Sequence, residues 1–535
     1  MKKVSASLLA LLLTAGVLAG VGVNTINAET RESERPVAAG AERDQKAPAE
    51  DQSVTAEPAT TKRPKYVFLF IGDGMSYPQI QSTADYLGAL TDDDYFMAQP
   101  SLKDNRGAIL DGPKYLNFMN FEAAGSAVTY DSNSFAPDSA STATSIATGH
   151  KTYSGTINKD EKGEASFETI AEKVHSQLGM KVGIISSVNL NHATPAAFYA
   201  HQASRNSYYE IGEELIKSGF EYFAGGGLKK KTGPDKDNPR TNLYDLAKEA
   251  GYTVTFTNKE AEAVNAETGK VILIDEHLAD SDAMAYEIDR TDDMWSLADY
   301  VKKGIEVLDG DKGFFMMTEG GKIDWACHAN DAATTIHDTV AFADAVQVAI
   351  DFAKDHADET LILVTGDHET GGMTIGFAGT DYDTYLTLLE KQKISFAKFD
   401  DQYISALKEK NTPFDEALAD IEKLFGLKAK GDDGDKLVLT PWELEQLKVA
   451  YDKSINGKDT GRDTQQEYVM YGTYDPLSVT LTHILNNKSG VAYTSYSHTG
   501  LPVPVLADGV NAEAFNGYYD NTEIFAKMAK TLQVR

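Results

Sequence analysis

Short, unbroken apolar runs punctuate the chain at Tyr66–Ile71, Val182–Ser186, Val271–Ile274, Phe314–Thr318 and Leu361–Thr365. Runs of this length without polar alternation suit strands buried on both faces. Between them the period becomes helical. From about Thr334 to Phe352, Ile336, Val340, Ala343, Val346 and Ile350 recur at intervals of three and four, which lines one face of a helix. Buried strands alternating with amphipathic helices predict an α/β fold, a three-layer sandwich around a central, mainly parallel sheet. Ligands of such sheets bind beyond the carboxyl ends of the strands.

The pattern changes at about residues 381–490, which are charged, rich in helical periodicity and free of buried-strand runs. This stretch reads as a helix-rich insertion into a catalytic domain spanning 64–535. Thr440-Pro441-Trp442-Glu443 is a strong helix start, with Thr440 as cap, Pro441 in the first turn and Glu443 closing a capping box. Leu444, Leu447 and Tyr451 then share a face. Asp432-Asp433-Gly434-Asp435 has calcium-binding residue types without the spacing of an EF-hand loop, and a solvated turn is the simpler reading.

The N-terminus reads as a targeting segment. Lys2 and Lys3 precede an apolar stretch from Ala6 to Val23, and Ala28 offers a small residue at a cleavage point. Residues 1–28 are thus expected to be a secretory signal peptide, with an uncleaved anchor as the alternative. Residues 29–63, rich in Glu, Ala, Pro, Thr and Arg, read as a disordered tether. The mature protein is then exported, to the periplasm or the medium, with no membrane span.

Charge narrows the partners. The 535 residues carry a formal net charge of −31, more negative still once the two leader lysines are gone. Such a surface repels nucleic acid. A single cysteine, Cys327, leaves no intrachain disulfide for an exported chain to use. Stability must come from the core and from bound metal.

Most of the apolar runs deliver metal-capable side chains at or just past their ends. Tyr66–Ile71 leads to Asp73, Val182–Ser186 to His192 and Thr194, Phe314–Thr318 to Glu319, Asp324 and His328, and Leu361–Thr365 to Asp367 and His368. His498 follows Val491–Thr494. Alone, an Asp-Gly is a turn and a lone histidine is a packed or solvated side chain. Together, strand ends that converge acids and histidines on one edge need cations to offset their repulsion. Mixed Asp/His sets suit zinc, and all-oxygen sets suit magnesium. Asp324 and His328, four residues apart, share a helix face. Cys327, next to His328, points elsewhere on that helix and reads as packing.

Ser139 lies in Pro137-Asp138-Ser139-Ala140-Ser141-Thr142. The proline and aspartate stop an extended segment, and small helix-compatible residues follow. Ser139 therefore falls at a helix N-terminus, where free N–H groups favour anions; a plain cap is the bland alternative. Arg205 follows Thr194 by eleven residues, and its fork could hold two phosphate oxygens.

These segments, in this order, resemble the alkaline phosphatase family. The resemblance is carried by Phe70-Ile-Gly-Asp-Gly-Met75, Asp138-Ser-Ala140, Ala193-Thr-Pro-Ala196 with Arg205, Thr318-Glu-Gly-Gly-Lys-Ile-Asp324 with His328, Thr365-Gly-Asp-His368 and His498-Thr-Gly500. It implies hydrolysis of phosphate monoesters at alkaline pH through a phosphoserine at Ser139, with Arg205 clamping phosphate. It implies two zinc ions, one on Asp324, His328 and His498 and one on Asp73, Asp367 and His368. A magnesium ion is implied on Asp73, Thr194 and Glu319, and a homodimer as the assembly. Two positions, His192 and Trp325, differ from the best-studied bacterial member, which has aspartate and lysine there. The His/Trp pair is similar to marine bacterial members with large insertions, and it leaves the third metal's identity open. A phosphodiesterase or sulfatase of the same superfamily is the rival enzyme reading. An inactive, secreted cation-binding protein is the non-enzymatic one.

Overall fold

In the computed structural model, which describes residues 62–102 and 108–535, all five apolar runs are strands of one sheet. In chain order the ten strands are β1 (Tyr66–Gly72), β2 (Ala123–Val128), β3 (Lys181–Ser186), β4 (Tyr222–Gly225), β5 (Thr253–Thr255), β6 (Val271–Ile274), β7 (Phe314–Glu319), β8 (Thr360–Gly366), β9 (Val503–Gly509) and β10 (Gly517–Asp520). Their spatial order is β10-β2-β9-β8-β1-β7-β3-β4-β6-β5. Neighbours pair in parallel except at β9, which runs antiparallel to both β8 and β2.

The central strands β1, β7 and β8 are buried along their whole length, as their lack of polar alternation requires. Side chains alternate between two cores. Val67, Leu69 and Ile71 meet Ala140, Ala143 and Ile146 of the Ser139–Thr148 helix and Ile524 and Met528 of the Thr522–Leu532 helix. Phe68 and Phe70 meet Tyr300 and Val301 of the Leu297–Leu308 helix and Phe342 and Val346 of the Ala332–Asp355 helix. That is the expected three-layer sandwich, and burying each of these phenylalanines contributes roughly 2–3 kcal/mol.

Residues 376–490 add no strand to the sheet. Helices Phe414–Phe425, Pro441–Asn456 and Pro476–Ser489 gather Ile421, Phe425, Leu447, Tyr451 and Leu481 into a third core, which also takes in Tyr86 and Ile336. The segment is bracketed by Thr374–Ile375 and Val491–Ala492, which pair antiparallel. At its strongest helix start, Thr440 caps the Glu443 N–H and the Glu443 carboxylate accepts from the Thr440 N–H, the capping box expected there. Asp435 pairs with Lys428. No helix among the described residues is long and apolar enough to cross a membrane. The signal-peptide and tether readings fall, but for Lys62 and Arg63, outside the described residues.

Candidate active site

The carboxyl ends of the central strands form one ledge, because β1, β7, β8 and β3 run in parallel with Ile71 opposite both Glu319 and Thr365, and Ser186 opposite Glu319. Asp73 leaves the ledge one residue after β1, Glu319 ends β7, and Asp367 and His368 follow β8 directly. Gly74 makes this approach possible. Its φ is +71°, and a Cβ there would lie 2.9 Å from the Asp324 Cα, so only glycine passes. Its N–H donates to Asp367 Oδ1 at 3.1 Å.

Ser139 is the first residue of a wholly buried helix. Asp138 caps that helix by accepting from the Ser141 N–H, and also accepts from the Gly155 N–H and from Arg205 Nη1, the last at 2.8 Å. Burial opposes its charge, but Arg205 and these N–H groups outweigh it and hold its pKa down at about 2. Ser139 Oγ lies 3.1 Å from His368 Nε2 and 3.5 Å from Asp73 Oδ1.

Around that hydroxyl the ligand-type side chains fall into three sets. His368 Nε2 lies 3.4 Å from Asp73 Oδ1 and 3.2 Å from Asp367 Oδ2. Asp324 Oδ2 lies 3.3 Å from His328 Nε2, and its Oδ1 lies 3.6 Å from His498 Nε2. Asp73, His192 and Glu319 bring one atom each within 4.8 Å of one another, with the Thr194 hydroxyl donating to Asp73 Oδ2 at 3.3 Å. His368 also stacks on His498, ring centroids 3.6 Å apart. Asp324, His368 and His498 also bring one atom each within 4.8 Å of one another, so His368 borders two of the sets, with its Nε2 nearest Asp367 and Asp73.

The donor set fits cations. Burial and mutual repulsion raise three of the carboxyls, Asp73 well above its ordinary value, Asp367 to about 8 and Glu319 to about 7, whereas on Asp324 burial is outweighed by the neighbouring histidines, which hold it well below. Glu319 Oε1 is buried without a partner. His328 Nδ1 and His498 Nδ1 face the carbonyls of Tyr496 and Pro137, to which they donate. Both rings therefore turn Nε2 toward a common point, 3.1 Å apart, where either a proton on His328 or a bound cation can lie between them. Burial works against charge on His328, but Asp324 outweighs it and lifts its pKa to about 9.

On the open side, Arg205 Nη2 lies 3.2 Å from His192 Nε2. Burial and that guanidinium push His192 down to about 3, so its ring is neutral and Nε2 accepts. Trp325 meets the His192 ring edge-on, centroids 5.9 Å apart.

A family model described as alkaline phosphatase matches residues 64–534. The chain belongs to the alkaline phosphatase family. It is 31% identical over 480 residues to alkaline phosphatase 3 of Bacillus subtilis (strain 168), covering 88% of this chain and 89% of that protein. Among solved structures it is similar to the cold-active alkaline phosphatase of a psychrophilic Shewanella species, at 27% identity and a TM-score of 0.67, covering 87% of this chain and 99% of that one. It is also similar to a histidine-to-glutamate variant of the alkaline phosphatase from the Antarctic bacterium TAB5 with Mg in its M3 site, at 25% identity and a TM-score of 0.57, covering 89% and 99%. As an alkaline phosphatase the chain is a phosphoric monoester hydrolase.

All twelve residues singled out from the alkaline phosphatase motifs fall in one connected network: Asp73, Ser139, His192, Thr194, Arg205, Glu319, Asp324, Trp325, His328, Asp367, His368 and His498. Cys327 faces Gln79 Nε2 and the Thr335 hydroxyl instead. Sequence reasoning missed the groups that aim the ligands. Thr370 Oγ1 donates to Asp324 Oδ1 at 2.5 Å and lies 3.2 Å from His368 Nδ1. Thr142 donates to Asp367 Oδ2, and Ser186 donates to Glu319. Thr370 stands two residues past His368 and Ser186 ends a predicted strand, so strand alternation was the available signal. Lys322, inside the Thr318–Asp324 motif, was given no role; it is buried.

Proposed function

We propose that this chain hydrolyses phosphate monoesters through a phosphoserine at Ser139, using two zinc ions and one magnesium ion. Asp324, His328 and His498 would hold one zinc, and Asp73, Asp367 and His368 the other. Asp73, Thr194 and Glu319 would hold magnesium, with His192 able to draw a softer ion to that third place. Bound there, divalent cations would offset the buried carboxylates, favour the alkoxide of Ser139 and stabilise charge on the entering and leaving oxygens.

The rest is the work of side chains. Ser139 Oγ attacks phosphorus, the bond to the alcohol oxygen breaks, and the phosphoryl group passes to serine. Arg205, held by Asp138 and His192, presents its fork to two non-bridging oxygens. The N–H groups of the first helical turn add positive potential. Water then attacks the phosphoserine, which releases inorganic phosphate and regenerates the hydroxyl. Little covalent help is needed, because phosphoryl transfer depends mainly on positioning and charge. Export by the N-terminal leader, a helical insertion at about 381–490 and a homodimeric assembly belong to the same proposal.

One observation carries it: a serine in the first position of a buried helix whose hydroxyl lies within 3.5 Å of both an acid and a histidine of the ligand sets. The test compares wild type with Ser139→Ala on a chromogenic monoester and a diester, before and after chelation. Monoester turnover that vanishes on chelation, returns with zinc plus magnesium and is absent in Ser139→Ala supports the reading. Retained turnover in Ser139→Ala, or a preference for the diester, refutes it.

A further inference from the structure

Lys322 opens the Lys322–His328 helix that carries Asp324, Trp325 and His328, yet its side chain turns inward and is only 1% exposed. A buried ammonium is costly unless it is closely held. Its Nζ donates to Asp280 Oδ1 at 3.1 Å and lies 3.6 Å from the centroid of the Tyr286 ring and 4.7 Å from that of Trp325. Tyr286 is itself buried, packed with Ala326, Ala329 and Phe396. The ammonium thus joins Trp325 to a fixed aromatic wall by attraction to both rings, a contact strongest when desolvated.

Trp325 also meets His192, His192 Nε2 accepts from Arg205 Nη2, and Arg205 Nη1 reaches Asp138. A continuous line, Lys322–Trp325–His192–Arg205, ends on the guanidinium. We propose that Lys322 is a positioning residue for phosphate: by pinning Trp325 it keeps His192 in place, and His192 keeps the Arg205 fork turned toward the phosphate oxygens. This rests on the reading of Arg205 as the phosphate clamp. Methionine, one heavy atom shorter, would fill most of the volume but lacks the charge that the indole face attracts. Asp280, with its side chain 49% exposed, can turn to solvent when the ammonium is removed.

The test uses the metal-loaded full chain with Lys322→Met, Lys322→Arg and Arg205→Ala. The measurements are kcat, KM and the inhibition constant of inorganic phosphate. Phosphate-dependent fluorescence of Trp325 is read in a Trp295→Phe/Trp442→Phe background. Lys322→Met should weaken phosphate inhibition and raise KM by a common factor of roughly 3- to 30-fold, with kcat changed about twofold or less, and should blunt the Trp325 response. Lys322→Arg, which can still stack on both rings, should restore these values to within about threefold. If Arg205→Ala weakens phosphate inhibition but Lys322→Met leaves it within twofold, or if arginine does no better than methionine, the positioning role is overturned and the clamp stands. If Arg205→Ala leaves phosphate inhibition unchanged, the clamp fails and the Lys322 role with it. Should Lys322→Met not fold, Asp280→Asn takes its place, with a weakening of about twofold or more expected and an unchanged constant overturning the proposal.

Discussion

Chelated protein should lose stability as the pH rises, and the loss should trace to the carboxyls of the candidate centre. Burial, with weaker contributions from neighbouring charge, lifts Glu319 from 4.5 to about 7. A carboxyl whose pKa is higher in the fold than in the unfolded chain stays protonated in the fold while the unfolded chain ionises. Its contribution is fully present below about pH 4.5 and is lost as the pH climbs through about 7. At about 1.4 kcal/mol per pH unit, that interval corresponds to roughly 3 kcal/mol for Glu319 alone. An unfolding entropy of about 2.1 cal/mol/K per residue over roughly 470 folded residues converts this to about 3 °C in Tm. The assay is scanning calorimetry of chelated wild type and chelated Glu319→Gln at pH 5.0 and 8.5, beside metal-loaded wild type. Over that interval the chelated glutamine variant should lose about 3 °C less than chelated wild type. Metal-loaded wild type should be spared the loss, because cations favour ionised carboxylates. Equal pH slopes for the two chelated proteins, or an equal slope in the loaded one, would refute the reasoning.

Other outcomes follow from single contacts. Thr370→Val removes the hydrogen bond to Asp324 and the contact with His368 Nδ1; metal affinity, measured by competition with a chelator, should fall about 10- to 100-fold. Arg205→Lys cannot reach Asp138 and two phosphate oxygens together, so KM in steady-state assays should rise about tenfold or more. Asp138→Ala frees the Ser141 N–H and unpairs Arg205; calorimetry should show about 1 kcal/mol or more of lost stability, with a raised KM beside it. Trp325→Lys sets an ammonium beside His192, where phosphate inhibition should tighten severalfold; unchanged inhibition would count against placing Trp325 next to the product.

Much of this architecture was legible in the sequence because the strands that carry the site are the most deeply buried. Tyr66–Ile71, Phe314–Thr318 and Leu361–Thr365 are apolar without interruption, and each was expected within a residue or two of its observed limits. Apart from β4, an unbroken Tyr-Phe-Ala-Gly only four residues long, the strands that escaped notice lack that signal. β2 reads Ala-Ala-Gly-Ser-Ala-Val, too small and mixed to stand out. β5 has three residues, two of them threonine, at the sheet edge. β9 carries Pro504, which argues against an interior strand, yet pairing with β8 begins at Val505. The ligand-type residues showed themselves through residue type and place, since acids and histidines are rarely left at the ends of apolar strands. Their aiming groups did not, because a threonine or serine at a strand end is commonplace until its partner from another segment is known. Lys322 is the extreme case: its burial depends on Asp280 and Tyr286, some forty residues earlier, which no local pattern connects to it.

The position of β9 has a consequence for how the enzyme comes to life. Among the described residues, β2, which leads into the Ser139 helix, is hydrogen-bonded in the sheet to β9 and β10 alone, and both are made after residue 500. Until those last segments arrive, Ser139 has no sheet pairing that ties it to the strands bearing Asp73, Glu319 and Asp367. A chain ending before residue 500 would therefore lack the pairing that seats the Ser139 helix against the rest of the sheet, and a truncation there should show no monoesterase turnover.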